Sequence, residues 1–150
     1  MTPVNTRFLI VDDDTDDANL FCEALHEIAP MMICLKAENG RDVLAMLSQQ
    51  KDPEPDIIFL DLNMPIMNGW ECLHKLKDAL SFRGIPIVIY STSSAKRDVD
   101  LAYNLGAILY LTKPEDFREL RKILEIMASN PQEAWLEDLA RFANVRVSSS

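Results

Sequence analysis

The sequence predicts an α/β fold built on a doubly wound parallel sheet, with helices on both of its faces. Five short apolar runs alternate along the chain with longer segments whose apolar residues recur every three or four positions. The runs show no apolar–polar alternation, which is typical of parallel strands that are buried on both faces. Five β-α units joined by right-handed crossovers cover a single sheet with helices on each side.

The individual strands and helices follow from these two patterns. The strand segments, rich in Ile, Val and aromatic residues, are residues 8–11, 32–37, 57–60, 85–90 and 108–111. The apolar residues that mark the helices are Leu20, Ala24, Leu25 and Ile28, then Val43, Leu44 and Leu47, then Trp70, Leu73, Leu76 and Leu80, then Val99, Ala102 and Leu105, then Phe117, Leu120, Ile123, Leu124 and Met127. Gly106 can close the fourth helix in a left-handed conformation, and Pro131 ends the fifth because it disfavours helical backbone at Asn130.

The chain of 150 residues has the length and composition of one globular domain. Its 24 acidic and 15 basic residues give a net charge of −9, which argues against a protein that binds the phosphate backbone of nucleic acid. Three widely spaced cysteines (Cys22, Cys34, Cys72) argue against a disulfide framework and favour a reducing compartment. Residues 1–7 show no apolar core of a signal peptide, and no apolar stretch approaches the length that spans a membrane, so we expect a cytoplasmic protein. We place the main domain at residues 1–129 and an extension with a frayed end at 130–150.

A sixth amphipathic segment follows Pro131. Trp135, Leu139 and Phe142 form one apolar stripe, which predicts an additional C-terminal helix over 132–143. The stripe either packs back on the domain, which we favour, or forms a dimer or partner surface. An exposed apolar stripe without such a partner is otherwise a liability.

Polar side chains stand at the carboxyl ends of four predicted strands, where ligands bind in open parallel sheets. Asp12 and Asp13 follow the first strand, and Asp61, Ser91 and Lys113 follow the third, fourth and fifth. Carboxylates brought close together repel one another unless a cation joins them, and oxygen ligands select a hard cation such as Mg²⁺. A carboxylate can also attack phosphorus, with the amine and the hydroxyl neutralising and positioning the transferred group. The pattern predicts a phosphoryl-transfer site.

The acidic run after the first strand has other interpretations. Asp12, Asp14, Asp16 and Glu23 fall at ligand positions of a calcium-binding EF-hand loop, but Asp17 stands where that loop needs glycine. A haloacid-dehalogenase phosphatase also carries Asp-x-Asp after its first strand. That interpretation gives no role to Asp61 and the residues that follow it. In the structural interpretation, Asp14, Asp16 and Asp17 are solvated residues that cap a helix.

Five sequence blocks over roughly residues 7–128 resemble the receiver domain of two-component response regulators, of the chemotaxis-regulator type. The blocks are FLIVDD at 8–13, IFLDLNMP at 58–65, Gly69, VIYS at 88–91, and Gly106 with YLTKP at 110–114. The resemblance implies a flavodoxin-like sheet with strand order 2-1-3-4-5. It also implies that an aspartate accepts a phosphoryl group with Mg²⁺ as the cofactor.

The resemblance assigns the metal and phosphoryl site to particular residues. Asp61 would be the phospho-acceptor. Asp13, Asp61 and the backbone carbonyl of Asn63 would bind Mg²⁺, and Asp12 would reach the ion through water. Lys113 would pair first with Asp61 and then with the phosphoryl group. Asn63 would also influence how long that group survives.

The resemblance also implies residues that respond to phosphorylation. Ser91 would be the switch hydroxyl, and Tyr110 the aromatic residue whose rotamer follows it. A cis peptide bond to Pro114 would position the neighbouring lysine. Ser93 would influence the phosphoryl lifetime. Thr92 stands where the family usually has a small residue, and could narrow access to the acceptor.

The implied function is that of a stand-alone response regulator rather than an enzyme. A sensor histidine kinase or a phosphotransfer protein would donate the phosphoryl group. The surface formed by the fourth helix, fifth strand and fifth helix would signal to a downstream protein target, and this surface or the tail helix could form a homodimer. No contact with nucleic acid or membrane is expected. Two alternatives stay open: an interaction module that is never phosphorylated, and a small phosphatase that acts on external substrates.

Overall fold

The computed structural model describes residues 6–49, 54–64, 67–80 and 84–148, and within them one sheet of six strands. The strands are β1 (Arg7–Val11), β2 (Ile33–Ala37), β3 (Ile57–Leu60), β4 (Ile87–Ser91), β5 (Leu109–Thr112) and β6 (Val145–Arg146). Their order across the sheet is β2-β1-β3-β4-β5-β6. The first five strands are parallel, so the predicted order 2-1-3-4-5 is confirmed, and β6 runs antiparallel to β5.

Six α-helices accompany the sheet in the described part of the chain. They are α1 (Thr15–Ile28), α2 (Gly40–Gln49), α3 (Gly69–Leu80), α4 (Lys96–Asn104), α5 (Phe117–Ser129) and α6 (Trp135–Asp138). The Asp14 side chain caps α1 by accepting the N–H of Asp17 at 3.1 Å. Gly106 follows α4 with a φ of 105°, and Asn130 terminates α5 before Pro131. Both predicted helix ends are therefore confirmed.

The sheet has a hydrophobic core on each face because successive residues of a strand point to opposite sides. In β1, Phe8 and Ile10 belong to the core that includes α1 and α5. Leu9 and Val11 belong to the core that includes α2, α3 and α4. All four side chains are fully buried. A strand covered on both faces needs apolar residues at every position, which is why β1 is a continuous apolar run.

A disulfide bond joins Cys22 of α1 to Cys34 of β2, with the two Cα atoms 5.6 Å apart. The sequence argument against disulfide bonding is wrong for this pair. The fold packs α1 beside β2 and so brings together two cysteines that are 12 positions apart. Cys72 stays a free thiol in the core, where burial raises its pKa to about 12.

The chain after α5 returns to the sheet instead of continuing as a long helix. α6 has only four residues, so the helix predicted over 132–143 is too long. The N–H of Phe142 bonds to the carbonyl of Leu139, three positions earlier, in a tight four-residue turn that replaces the helical pattern. The chain then forms β6, which the sequence analysis does not predict.

The apolar stripe of the tail packs back on the domain, as favoured above. Trp135, Leu139 and Phe142 are 5%, 0% and 7% exposed and lie in the same core as α1 and α5. The indole N–H of Trp135 donates to the carbonyl of Asn130 at 3.1 Å. These three side chains are therefore not available as a dimer surface. None of the helices in the described ranges has the length and apolar character that crossing a membrane requires.

Candidate functional site

Main-chain pairing brings the carboxyl ends of the central strands together. The N–H of Asp61 donates to the carbonyl of Val11, the residue before Asp12, at 3.0 Å. The N–H of Lys113 donates to the carbonyl of Ser91 at 2.8 Å. The strand ladders thus extend to the polar residues that follow β1, β3 and β5, and these residues share one edge of the sheet.

Three carboxylates gather at this edge. One oxygen of each of Asp12, Asp13 and Asp61 lies within 4.8 Å of the other two. Asp12 and Asp61 are 2% and 5% exposed, whereas Asp13 is exposed to solvent. Negative charges this close in a buried position repel, so the cluster needs a positive charge or a proton to offset them.

Lys113 supplies positive charge from the end of β5. Its Nζ atom lies 2.7 Å from Asp12, 2.9 Å from Asp17 and 3.6 Å from Asp61. The ammonium is therefore closer to two other carboxylates than to Asp61, the partner that the resemblance implies. Burial alone lowers the pKa of Lys113, but the contacts with Asp12 and Asp17 outweigh it and raise the pKa above its ordinary value. Lys113 consequently stays charged at neutral pH.

The carboxyl group of Asp61 is a weaker acid than an ordinary aspartate. Burial, followed by the negative charge of Asp12, raises its pKa from 3.8 to about 7. The charge of Lys113 and a hydrogen bond from the N–H of Asn63 to Oδ1 (3.4 Å) act in the opposite direction. A cation beside Asp61 would favour its ionised form and hence its reactivity as a nucleophile.

The cluster has the chemistry of a site for a hard divalent cation. Its donors are carboxylate oxygens, the ligands that Mg²⁺ takes in proteins. One oxygen of Asp12 accepts the N–H of Asp14 at 2.9 Å. The other, Oδ2, is buried without a hydrogen bond and has only the ion pair with Lys113 to offset its charge. Because one oxygen of each carboxylate lies within 4.8 Å of the other two, Asp12, Asp13 and Asp61 together fit one metal ion.

The β4–α4 loop, residues 92–95, follows the buried end of β4, and Thr92 and Ser94 line a cleft together with Lys113. Ser91 is fully buried at the end of β4, and its Oγ accepts the N–H of Ser93 at 3.2 Å. The Ser93 hydroxyl donates to Asp98 at 2.6 Å. Tyr110 is also fully buried, and its hydroxyl donates to the carbonyl of Ser93 at 2.9 Å. Thr92 is exposed and lines a polar cleft next to the site.

Gly69 supports the segment that follows Asp61. Its N–H donates to the carbonyl of Leu62 at 2.8 Å. A Cβ at this position would lie 2.3 Å from the Leu62 Cα and 2.5 Å from the Asp61 carbonyl oxygen. No side chain fits here without displacing the backbone that carries Asp61. Pro65 and Ile66, which lie between Asp61 and Gly69 in the sequence, are outside the described residues.

Two expectations about the surroundings of Lys113 are wrong. The described residues contain no cis peptide bond, so the bond to Pro114 is trans, the isomer of lower energy for most such bonds. The interpretation of Asp17 as a solvated capping residue misses its contact with Lys113. The sequence contains one signal for the contact between Asp17 and Lys113. Asp17 lies in the first turn of α1, and helical side chains tilt toward the helix N-terminus.

The fold and the site together define a flavodoxin-like α/β protein with an acidic, cation-competent pocket at the carboxyl edge of its sheet. Residues 8–125 match the response regulator receiver domain family. The chain therefore belongs to the receiver-domain family of two-component signalling, as its sequence motifs predict.

Known proteins similar to this chain agree with that assignment. Response regulator Rcp1 of Synechocystis sp. is 32% identical over 133 residues, which are 86% of this chain and 88% of Rcp1. The crystal structure of the phosphorylated cyanobacterial phytochrome response regulator RcpA superimposes with a TM-score of 0.75 and 29% identity, over 89% of this chain and 96% of RcpA. The Mn²⁺-bound form of Rcp1 gives a TM-score of 0.69 and 30% identity, over 83% and 92% of the two chains.

Proposed function

We propose that this protein is a phosphorylation-operated switch that accepts a phosphoryl group on Asp61. The observation that carries the proposal is the juxtaposition of a buried Asp61 carboxylate with two further carboxylates and the Lys113 ammonium, 3.6 Å away. Phosphoryl transfer needs a positioned nucleophile and charge neutralisation more than any other covalent machinery. The cluster offers both.

In the proposed reaction, a carboxylate oxygen of Asp61 attacks the phosphorus of a phosphohistidine on a kinase or phosphotransfer protein. The new P–O bond forms as the P–N bond breaks, which gives an acyl phosphate and an imidazole that takes up a proton from solvent. Lys113 donates a hydrogen bond to a phosphoryl oxygen, and the Ser91 hydroxyl turns toward another. The phosphorylated form of the similar protein RcpA supports this assignment.

The metal ligands in this proposal are Asp13, Asp61 and the backbone carbonyl of Asn63, with Asp12 acting through water. Bound Mg²⁺ would supply positive charge to offset the carboxylates and the phosphoryl oxygens. Similarity to the Mn²⁺-bound form of Rcp1 supports a divalent cation. Asn63 lies two positions after Asp61, and Thr92 and Ser93 directly follow Ser91; we propose that these three residues tune the phosphoryl lifetime.

Output is proposed to occur through protein contact. After phosphorylation, Ser91 and Tyr110 would reposition and alter the face formed by α4, β5 and α5 for a downstream protein target or a second copy of the chain. The net charge of −9 supports a protein partner rather than nucleic acid. We further propose a cytoplasmic protein with a receiver unit over 1–129, whose catalysis is limited to its own phosphorylation and dephosphorylation.

The decisive experiment is incubation with Mg²⁺ and acetyl phosphate, followed by intact-mass measurement. We expect one phosphoryl adduct on the wild-type protein and none on Asp61→Asn. Asp78→Asn, which changes an exposed carboxylate on α3 (77% exposed), serves as the matched control and should keep the adduct. Absence of any adduct would instead indicate an interaction module, and steady turnover of varied phosphomonoesters would indicate a phosphatase.

A further inference from the structure

Asp17, in the first turn of α1, lies close to the proposed phospho-acceptor. Its Oδ2 atom accepts a hydrogen bond from the Lys113 ammonium at 2.9 Å, and the same ammonium lies 3.6 Å from Oδ2 of Asp61. The two carboxylate oxygens can be no further apart than about 6.5 Å, the sum of these distances, and unit charges at that separation interact appreciably. The charge of Asp17 therefore acts on whatever binds at Asp61.

The charges around the acceptor do not cancel when a cation is bound. The cluster that fits a metal ion consists of Asp12, Asp13 and Asp61, and Asp17 adds a fourth carboxylate beside it. A divalent cation together with the Lys113 ammonium would offset three of the four negative charges. With Asp17 ionised, the loaded site keeps one net negative charge, whereas an uncharged residue at that position would leave the site neutral.

This remaining charge has opposite consequences for the two ligands of the site. A negative charge attracts the cation and repels a phosphoryl group, which is itself an anion. The Asp17 side chain is 35% exposed, against 7% for that of Asp61, so solvent screens part of the effect. We expect changes of severalfold in affinity rather than of orders of magnitude. The direction of each change follows from the sign of the charge alone.

We propose that Asp17 is a specificity-determining residue that strengthens the binding of Mg²⁺ and disfavours the most highly charged phosphodonors. The inference rests on the proposed function of Asp61 and concerns the class of donor that this site accepts best. A phosphohistidine presents its phosphoryl group on an imidazole that can hold a proton, so it can carry one negative charge less than a small acyl phosphate, which is a dianion at neutral pH. A site with a net negative charge therefore favours the P–N donor over the acyl phosphate.

The first test measures two affinities by isothermal titration calorimetry: that of Mg²⁺ alone, and that of beryllium trifluoride, an anionic phosphoryl analogue, in saturating Mg²⁺. We expect Asp17→Asn to bind Mg²⁺ roughly threefold more weakly and the analogue roughly threefold more tightly. A merely distorted site would lose affinity for both ligands, and any result in which the two affinities do not move in opposite directions overturns the proposal. Asp16→Asn, at the adjacent exposed residue of the same turn, removes an equal charge and should change each affinity by less than about 1.5-fold.

The second test compares two small donors in saturating Mg²⁺, with the phosphorylation rate followed by intact mass. Acetyl phosphate is a dianion at neutral pH, whereas phosphoramidate carries one negative charge less because its nitrogen is protonated. We expect Asp17→Asn to react roughly threefold faster than the wild type with acetyl phosphate and less than about twofold faster with phosphoramidate. The difference should shrink as the salt concentration rises from about 0.05 M to about 0.5 M, because salt screens the charge.

The outcomes of this comparison separate the two proposals. If neither donor phosphorylates the wild type, the proposed function of Asp61 fails, and the role of Asp17 fails with it. If the wild type is phosphorylated but Asp17→Asn has the same preference between the two donors, the inference about Asp17 alone is overturned.

Discussion

The ammonium nitrogen of Lys113 lies 2.9 Å from the carboxylate of Asp17, a residue 96 positions earlier in the chain. The Asp17 side chain is 35% exposed, whereas that of Lys113 is 10% exposed. Asp17 therefore forms the outer wall of a site whose inner carboxylates are buried. Among the three carboxylates that pair with the ammonium, Asp17 is the one that does not belong to the proposed metal site.

Replacing Asp17 by Asn should lower the free energy of unfolding by about 1 kcal/mol, because a partly buried ion pair loses its charge. Urea denaturation without divalent cations measures the change. The matched control is Glu71→Gln, which breaks the exposed pair between Glu71 and Lys75 (3.7 Å, about half exposed on both sides) and should cost less than about 0.5 kcal/mol. Equal losses for the two variants would contradict the special role of Asp17.

The raised pKa of Asp61 predicts how stability depends on pH. Because its pKa is about 7 in the folded protein and 3.8 ordinarily, the folded state binds more protons than the unfolded state between these values. Without divalent cations, the free energy of unfolding should therefore fall as the pH rises from about 4 to about 7. Asp61→Asn removes the titrating group and should show a flatter profile.

Urea denaturation in a chelator at about pH 5 and about pH 8 measures this difference. At the higher pH, Asp61→Asn should be at least as stable as the wild type, with a gain of about 1–3 kcal/mol if repulsion within the cluster dominates. Added Mg²⁺ should stabilise the wild type more than the variant. A variant with the same pH slope as the wild type would show that Asp61 is not a crowded carboxylate.

Gly69→Ala should displace the backbone that carries Asp61. The new methyl group overlaps the backbone at Leu62 and the carbonyl of Asp61, so we expect a loss of about 2 kcal/mol or more and slower phosphorylation by acetyl phosphate. Gly84→Ala is the control, because its Cβ meets no atom within 4 Å and only its φ of 69° is unfavourable. It should cost about 1 kcal/mol and leave phosphorylation unchanged. Normal phosphorylation of Gly69→Ala would refute this support role.

Reduction of the Cys22–Cys34 bond should destabilise the protein by about 3 kcal/mol, because a cross-link across 12 positions restricts the unfolded chain. Thermal unfolding with and without dithiothreitol tests this expectation. The double variant Cys22→Ala and Cys34→Ala should be insensitive to the reductant. A wild-type protein that is equally insensitive would mean that the two thiols are unpaired in solution.

Much of this fold could be predicted because its signals are local. The order of β and α segments follows from continuous apolar runs and helical spacing, and the positions of Asp12, Asp61 and Lys113 follow from the rule that parallel strands end at one edge. Because β1 is buried on both faces, its apolar run is continuous, and this makes the strand easy to predict from the sequence. The metal and phosphoryl roles came from the resemblance, since geometry alone leaves several uses for an acidic cluster.

The features that escaped prediction depend on contacts between distant residues. Asp17 has the sequence context of a helix cap, and only the folded chain shows Lys113 within reach. β6 has two residues, too few for an apolar pattern, and exists because β5 offers an edge for pairing. Cys22 and Cys34 follow no recognisable spacing rule, and packing of α1 beside β2 decides their pairing.

The antiparallel pairing of β6 with β5 also has a practical consequence for shortening the chain. β5 is a four-residue strand at the side of the parallel sheet, and β6 satisfies part of its outward-facing backbone. Bare strand edges are templates on which other molecules add, and proteins shield them to avoid aggregation. A version that stops after Phe142 would therefore lose its shield, and should precipitate or form oligomers at concentrations where the longer protein remains dispersed.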